Sequence, residues 1–154
     1  MSQEPAQAGR RAALIDDITD RTGIDEDMLR RLVYTFYDRI RTDPFLGPIF
    51  DARIEDWPVH LEHMVDFWSS VALMTGRYHG MPMPKHVSLP IDARHFDGWL
   101  RLFEATAAEV CPPPASAFLI DRARRIAASL ELGVALKHGV LLGKDERFYA
   151  ASPE

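Results

Sequence analysis

One cysteine in 154 residues, Cys111, leaves no partner for an internal disulfide and no thiolate cluster for a metal within one chain. It reads as a small residue near a helix end, and a reduced thiol fits a cytoplasmic setting. No apolar run approaches the roughly 20 residues that span a bilayer, so no membrane partner is expected. The opening MSQEPAQAGRRAA carries two arginines with no apolar core behind them, unlike a secretory signal. The net charge is -5 and no basic stripe stands out, which argues against nucleic acid as a partner. Neither common glycine-rich phosphate loop is present, and there is no repeat, low-complexity run or useful length of strand-like alternation.

What is present suits one all-α domain. Hydrophobic residues make up 47% and charged residues 27%, an ordinary balance. A domain of this size buries about 68–70% of the surface that its unfolded chain exposes, enough to enclose a large apolar ligand. Residues 1–22 read as a flexible N-terminal extension with at most a short helical turn around 13–18, 23–140 as the domain, and 141–154 as a poorly specified C-terminal tail.

Apolar residues in steps of three and four predict four long helices. The first covers about 25–42, with Leu29, Leu32, Val33, Phe36, Tyr37 and Ile40 on one stripe. Asp25, Glu26 and Asp27 favour its first turn, and Pro44 ends it. Two prolines and a glycine in 43–50 exclude a regular helix there, while Phe45, Leu46, Ile49 and Phe50 predict a packed corner. The second helix starts at Asp56, tolerates Pro58 in its first turn and runs to about 75, where Gly76 stops it. Its apolar face carries His60, Met64, Phe67, Trp68, Val71 and Met74. The stretch 76–84 is a loop, and His86 follows on a short helical turn closed by Pro90. Asp92 caps a third helix with Phe96, Trp99, Leu100, Phe103, Ala107 and Val110 inward, broken by Pro112-Pro113-Pro114. The fourth covers 115–137 and stops at His138-Gly139.

Four such helices could form an ordinary bundle. Two features ask for more. His86 sits on a short element braced by prolines. A lone histidine is more often a satisfied core or boundary residue than a ligand, but this setting can present an imidazole to a haem iron. Tyr37, His60 and Trp99 each put a polar tip on an apolar helical stripe. Singly, each reads as a boundary residue with its tip in water; together, converging tips would make a polar patch inside an apolar cavity. His60 and His63, spaced i, i+3, could bind a metal without haem, but no second motif of that kind accompanies them. His63 reads as flanking, and His79, His95 and His138 as surface residues, with His79 and Lys85 in reach of haem carboxylates by chain proximity.

Four stretches, in order, resemble the group III truncated globins. They are Phe36-Tyr37-Asp38-Arg39-Ile40-Arg41-Thr42-Asp43-Pro44-Phe45-Leu46-Gly47-Pro48-Ile49-Phe50, then Trp57-Pro58-Val59-His60 followed by Phe67-Trp68, then Lys85-His86-Val87-Ser88-Leu89-Pro90, then Phe96-Asp97-Gly98-Trp99-Leu100-Arg101-Leu102-Phe103. The resemblance covers about 25–138 and implies a truncated globin fold, a two-over-two helical sandwich enclosing haem b (iron protoporphyrin IX). It implies His86 as the proximal iron ligand, and Tyr37, His60 and Trp99 as the distal groups that act on the ligand. Phe50 is implied to pack against the haem, Met64 to face the ligand, and Phe67, Trp68 and Phe103 to form walls of the pocket or the core behind it. The implied activity is binding of a small diatomic ligand (oxygen, nitric oxide or carbon monoxide), with nitric oxide dioxygenase or peroxidase-like chemistry as its extension. With no flavin or nicotinamide motif in the chain, such turnover needs an external reductase. The rival readings are a haem-based sensor or partner-binding module without turnover, and a haem-free helical interaction domain.

Overall fold

The computed structural model describes residues 4–80, 86 and 89–150, with side chains described from residue 8 onward. Its regular elements are α1 (Glu4–Thr22), α2 (Glu26–Thr42), α3 (Gly47–Arg53), α4 (Trp57–Leu73), α5 (Ala93–Val110) and α6 (Pro113–Lys137). No strand occurs among the described residues. α2 packs on α4, α5 packs on α6, and α2 joins the two pairs through α5. This is the two-over-two arrangement that the resemblance implies.

The helix starts follow from side-chain caps. Asp25 accepts from the Met28 N–H at 2.8 Å, and Asp56 from the Val59 N–H at 3.2 Å. Asp92 accepts from the Arg94 N–H at 3.0 Å, while His95 Nδ1 receives the Asp92 N–H at 3.0 Å to complete a capping box. Each such cap is worth about 1 kcal/mol of stability. The central stripe of α2 is buried as predicted: Leu29, Leu32, Val33, Phe36, Tyr37 and Ile40. With Trp68, Phe103 and Leu119 they form the main core.

Three expectations fail for identifiable reasons. The corner after α2 is not free of helix: α3 begins at Gly47, with Pro48 in its first turn. Proline costs little there, because a first-turn N–H has no intrahelical partner anyway. Gly47 is needed where α3 turns back, since a Cβ would lie 2.8 Å from the Arg41 carbonyl oxygen. The N-terminal extension forms a helix over Glu4–Thr22, well beyond the short turn expected around 13–18. Ala8, Ala12 and Ala13 are strong helix formers. Ile18 is buried, and α1 packs on α4 and α6, with Arg11 bonding the Met74 carbonyl. The C-terminal tail is specified too: Phe148 is only 4% exposed, held against the start of α5 and the end of α6.

α4 stops at Met74, which adopts φ 54° in the left-handed region, and Ser69 Oγ meets Thr75 Oγ1 at 2.8 Å. α6 begins at Pro113, two residues before the expected start, for the same first-turn reason as α3. Gly139, at φ 77°, lies just past its end, as expected for a glycine stop.

Candidate functional site

Between the two helix pairs lies a cavity of about 700 Å³, inside the roughly 300–1,000 Å³ range of small-molecule and cofactor pockets. α2 contributes Tyr37, α3 Ile49 and Phe50, and α4 His60, Met64, Phe67 and Trp68. The segment before α5 contributes His86, Leu89 and Ile91. α5 contributes Phe96 and Trp99, and α6 contributes Ile126, Ala127 and Leu130.

The sequence-predicted residues thus meet around one space, with one exception. Phe103 does not line it. It is 1% exposed and lies behind the wall, stacked on Trp99 (ring centroids 5.4 Å, 13° between planes) and on Trp68 (5.0 Å, 22°). Periodicity puts Phe103 on the same stripe as Trp99, but one turn of helix separates the wall from the packing behind it. Phe36 is the hub of this packing, edge-on to Tyr37 at 5.1 Å, Trp99 at 5.4 Å and Phe103 at 5.4 Å. Tyr37 and Trp99 are therefore held by a shared neighbour.

Tyr37 is 4% exposed. Burial raises its phenol above the usual range, so it stays protonated and keeps a proton to donate. His60 stands edge-on to Tyr37, with centroids 5.2 Å apart and planes at 90°. Trp57 packs against both, at 6.1 Å from Tyr37 and 5.7 Å from His60. Arg41 lies over the Trp57 ring at 4.4 Å, a cation–π contact that fixes the indole. Trp57 was read from sequence only as part of a motif. Nothing in a linear pattern reveals that a helix-start tryptophan leans back on Tyr37.

His86 is half-buried, and its carbonyl accepts from the Leu89 N–H at 3.0 Å. Lys85 lies outside the described residues, and His79 is exposed. His63, expected on a flank, is exposed and stands at the cavity rim with Arg53, Glu55, Asp56 and Tyr78. His95 is not a surface residue: its side chain is 14% exposed, because it caps α5 and stacks on Phe45 at 4.3 Å. Tyr78, missed in the sequence, packs edge-on to Phe67 at 5.2 Å. The only hint of it was an aromatic residue in a glycine- and proline-rich loop. No group of three metal-binding His, Cys, Asp or Glu side chains occurs among the described residues.

Residues 17–130 match the bacterial-like globin family. Over 113 residues the chain is 33% identical to the group 3 truncated hemoglobin ctb of Campylobacter jejuni, covering 70% of this chain and 89% of that one. The chain is a group III truncated haemoglobin. This globin is also 30% identical to the group 2 truncated hemoglobin YjbI of Bacillus subtilis, over 79 residues that span 50% of this chain and 60% of that one. Its fold superposes on the crystal structure of the Campylobacter jejuni group III protein with a TM-score of 0.66 over 70% of this chain and 89% of that chain. The hemoglobin of the thermophilic phototroph Chloroflexus aurantiacus, 28% identical, gives a TM-score of 0.62 over 73% of this chain and 95% of that chain. Membership places the chain among haem-binding proteins. No helix among its described residues is long and apolar enough to cross a membrane.

Proposed function

We propose that this globin holds haem b in the cavity, with His86 as the protein ligand to the iron, and binds dioxygen or another diatomic molecule beside Tyr37, His60 and Trp99. The observation that carries this reading is that one apolar cavity collects all four residues. Haem is a flat, largely apolar group with two carboxylates, and the residues fit those demands. Phe50, Met64, Phe67 and Phe96 offer apolar wall, His86 an imidazole, and Arg53 and His63 basic groups at the rim. Bound haem supplies an iron that takes up a diatomic ligand and changes oxidation state. The protein supplies the surroundings. Tyr37, kept protonated by burial, and the Trp99 indole N–H, which can only donate, give hydrogen bonds to a polar guest. The Phe36 hub sets their separation, so the donors are oriented before any guest arrives. His60 stands over Tyr37 and controls the space beside it. The apolar walls exclude water and strengthen each of these hydrogen bonds.

Three chemistries share this need for distal donors: oxygen binding, nitric oxide dioxygenation and peroxide turnover. Either turnover would draw electrons from a separate reductase. An absorption spectrum before and after haem addition tests the reading, with His86→Ala beside the wild type. The wild type should develop a strong Soret band that is much weakened or shifted in the variant. An unchanged band in the variant would remove His86 from the iron.

A further inference from the structure

The segment after α6 lies beyond the residues that match the globin family, yet it is tied to the rest of the chain by a dense set of polar contacts. Arg147 forks between two carboxylates: it donates to Glu131 from Nε at 3.0 Å and Nη2 at 2.9 Å, and to Asp97 from Nη2 at 2.7 Å. Glu131 is almost buried, its side chain 7% exposed, and also receives the Phe148 N–H at 3.0 Å. A carboxylate this enclosed requires its partners.

These contacts converge on the residues that lead from His86 into α5. Ala93 is held by both of its backbone groups: its N–H donates to the Phe148 carbonyl at 2.7 Å, and its carbonyl accepts from Arg147 Nη2 at 3.3 Å. The Ala150 N–H donates to Asp92 Oδ2 at 3.1 Å, on the side chain that caps α5. The Phe148 ring joins Ile91, Phe96 and Ala127 in a second apolar cluster, with Leu89 and Leu130 packed on it. Those five residues of the cluster also line the cavity. Upstream, Ile91 N–H bonds to Leu89 O at 2.9 Å and Leu89 N–H to His86 O at 3.0 Å, so a short hydrogen-bonded path runs from the clamped start of α5 back to His86.

We propose that residues 147–150 are a strap that positions His86 in the cavity, with Arg147 as its positioning residue. This rests on the reading of His86 as the iron ligand. The strap fixes Asp92 and Ala93, and through them Ile91 and Leu89, so the imidazole is presented at one height and angle. Groups that orient a metal-binding histidine in this way typically change metal affinity by about 10–100-fold when lost.

The test compares wild type with Arg147→Met, and with Arg147→Met/Glu131→Gln, which removes the stranded buried carboxylate and guards against simple misfolding. Arg147→Lys is the conservative control. Three quantities are measured on haem-loaded protein: the iron–histidine stretching band of the ferrous form, the rate of haem transfer to excess apomyoglobin, and thermal unfolding. Amide exchange at Leu89, Ile91 and Ala93 is followed on the haem-free protein. The expected result for the double variant is faster exchange at all three amides, a shifted or broadened iron–histidine band and haem loss about tenfold faster, with Arg147→Lys returning part of the way. A merely structural strap would lower the unfolding temperature and leave the band in place, which would overturn the proposal. Unchanged exchange at Ala93 would overturn it as well, because Arg147 would then not hold the strap. A wild type with no iron–histidine band would overturn the reading of His86, and this inference with it.

Discussion

The wall of the cavity built on α2 and α4 and the wall built on the start of α5 are held by different forces. On the first, rings pack on rings: behind Tyr37, Phe36 of α2 meets Trp99 and Phe103 of α5 edge-on, and Phe103 stacks on Trp68 of α4 and on Trp99, all of them apolar contacts. On the second, the backbone around Asp92 and Ala93 is held by charged and polar groups, with Arg147, Glu131, Asp97 and Arg94 arranged round it. Aromatic packing gives stability that is insensitive to pH and shared by the whole fold. A polar clamp gives less stability but a defined position for one short segment, because hydrogen bonds are directional and apolar contacts are not.

The comparison can be broken first at its packed side. Phe103→Ala removes a ring that is 1% exposed and lies between two tryptophans. The variant should lose about 3–5 kcal/mol of unfolding free energy, measured by denaturant titration. A loss below about 1 kcal/mol would mean that the stack is not what holds this wall.

Acid should act on the polar side. Burial alone would raise the Asp92 carboxyl, but hydrogen bonds from the Arg94 side chain, the Ala150 N–H and the Arg94 N–H outweigh it and hold the group at about 2. A carboxylate lowered in the folded state stabilises the fold above its unfolded value and loses that contribution as pH falls toward the folded value. The window is therefore about pH 4 down to pH 2, and the loss is about 2 kcal/mol for a shift of this size. Wild type and Asp92→Asn, compared by denaturant titration across that window, should converge as pH falls. Parallel curves would mean that Asp92 is not the titrating clamp.

The smallest expected effect bears on the seam between the walls. Tyr37→Phe keeps the ring that packs on Phe36 and His60 and removes only the hydroxyl. Stability should move by less than about 1 kcal/mol, while dioxygen dissociation measured by stopped flow should quicken about tenfold, near 1.4 kcal/mol. An unchanged dissociation rate would show that the tyrosine proton does not reach the guest.

Much of this was legible in the linear pattern. Four of the five long helices declare themselves through three-four spacing, acidic residues in the first turn of α2, and Asp56 and Asp92 as caps, all local properties. Tyr37, His60 and Trp99 stood out because a polar tip on an apolar stripe is a local conflict, and His86 because prolines frame it. α3 was hidden because proline looks like a helix breaker until its position in the first turn is known. The inward placement of His95 and the separation of Phe103 from the cavity wall depend on which neighbour each helix meets. The polar stretch around Arg147 has no periodicity to betray it.

The sequence by itself therefore determined α2, α4, α5 and α6, their apolar stripes and the residue types available to the cavity, because period, caps and side-chain chemistry act over a few residues. Only the tertiary structure decided that Phe36 couples Tyr37 to Trp99, and that Arg147 closes on Ala93 across 54 positions of sequence. Such pairings form when the packing of whole helices brings distant groups within hydrogen-bond or van der Waals range, and no local pattern encodes that distance.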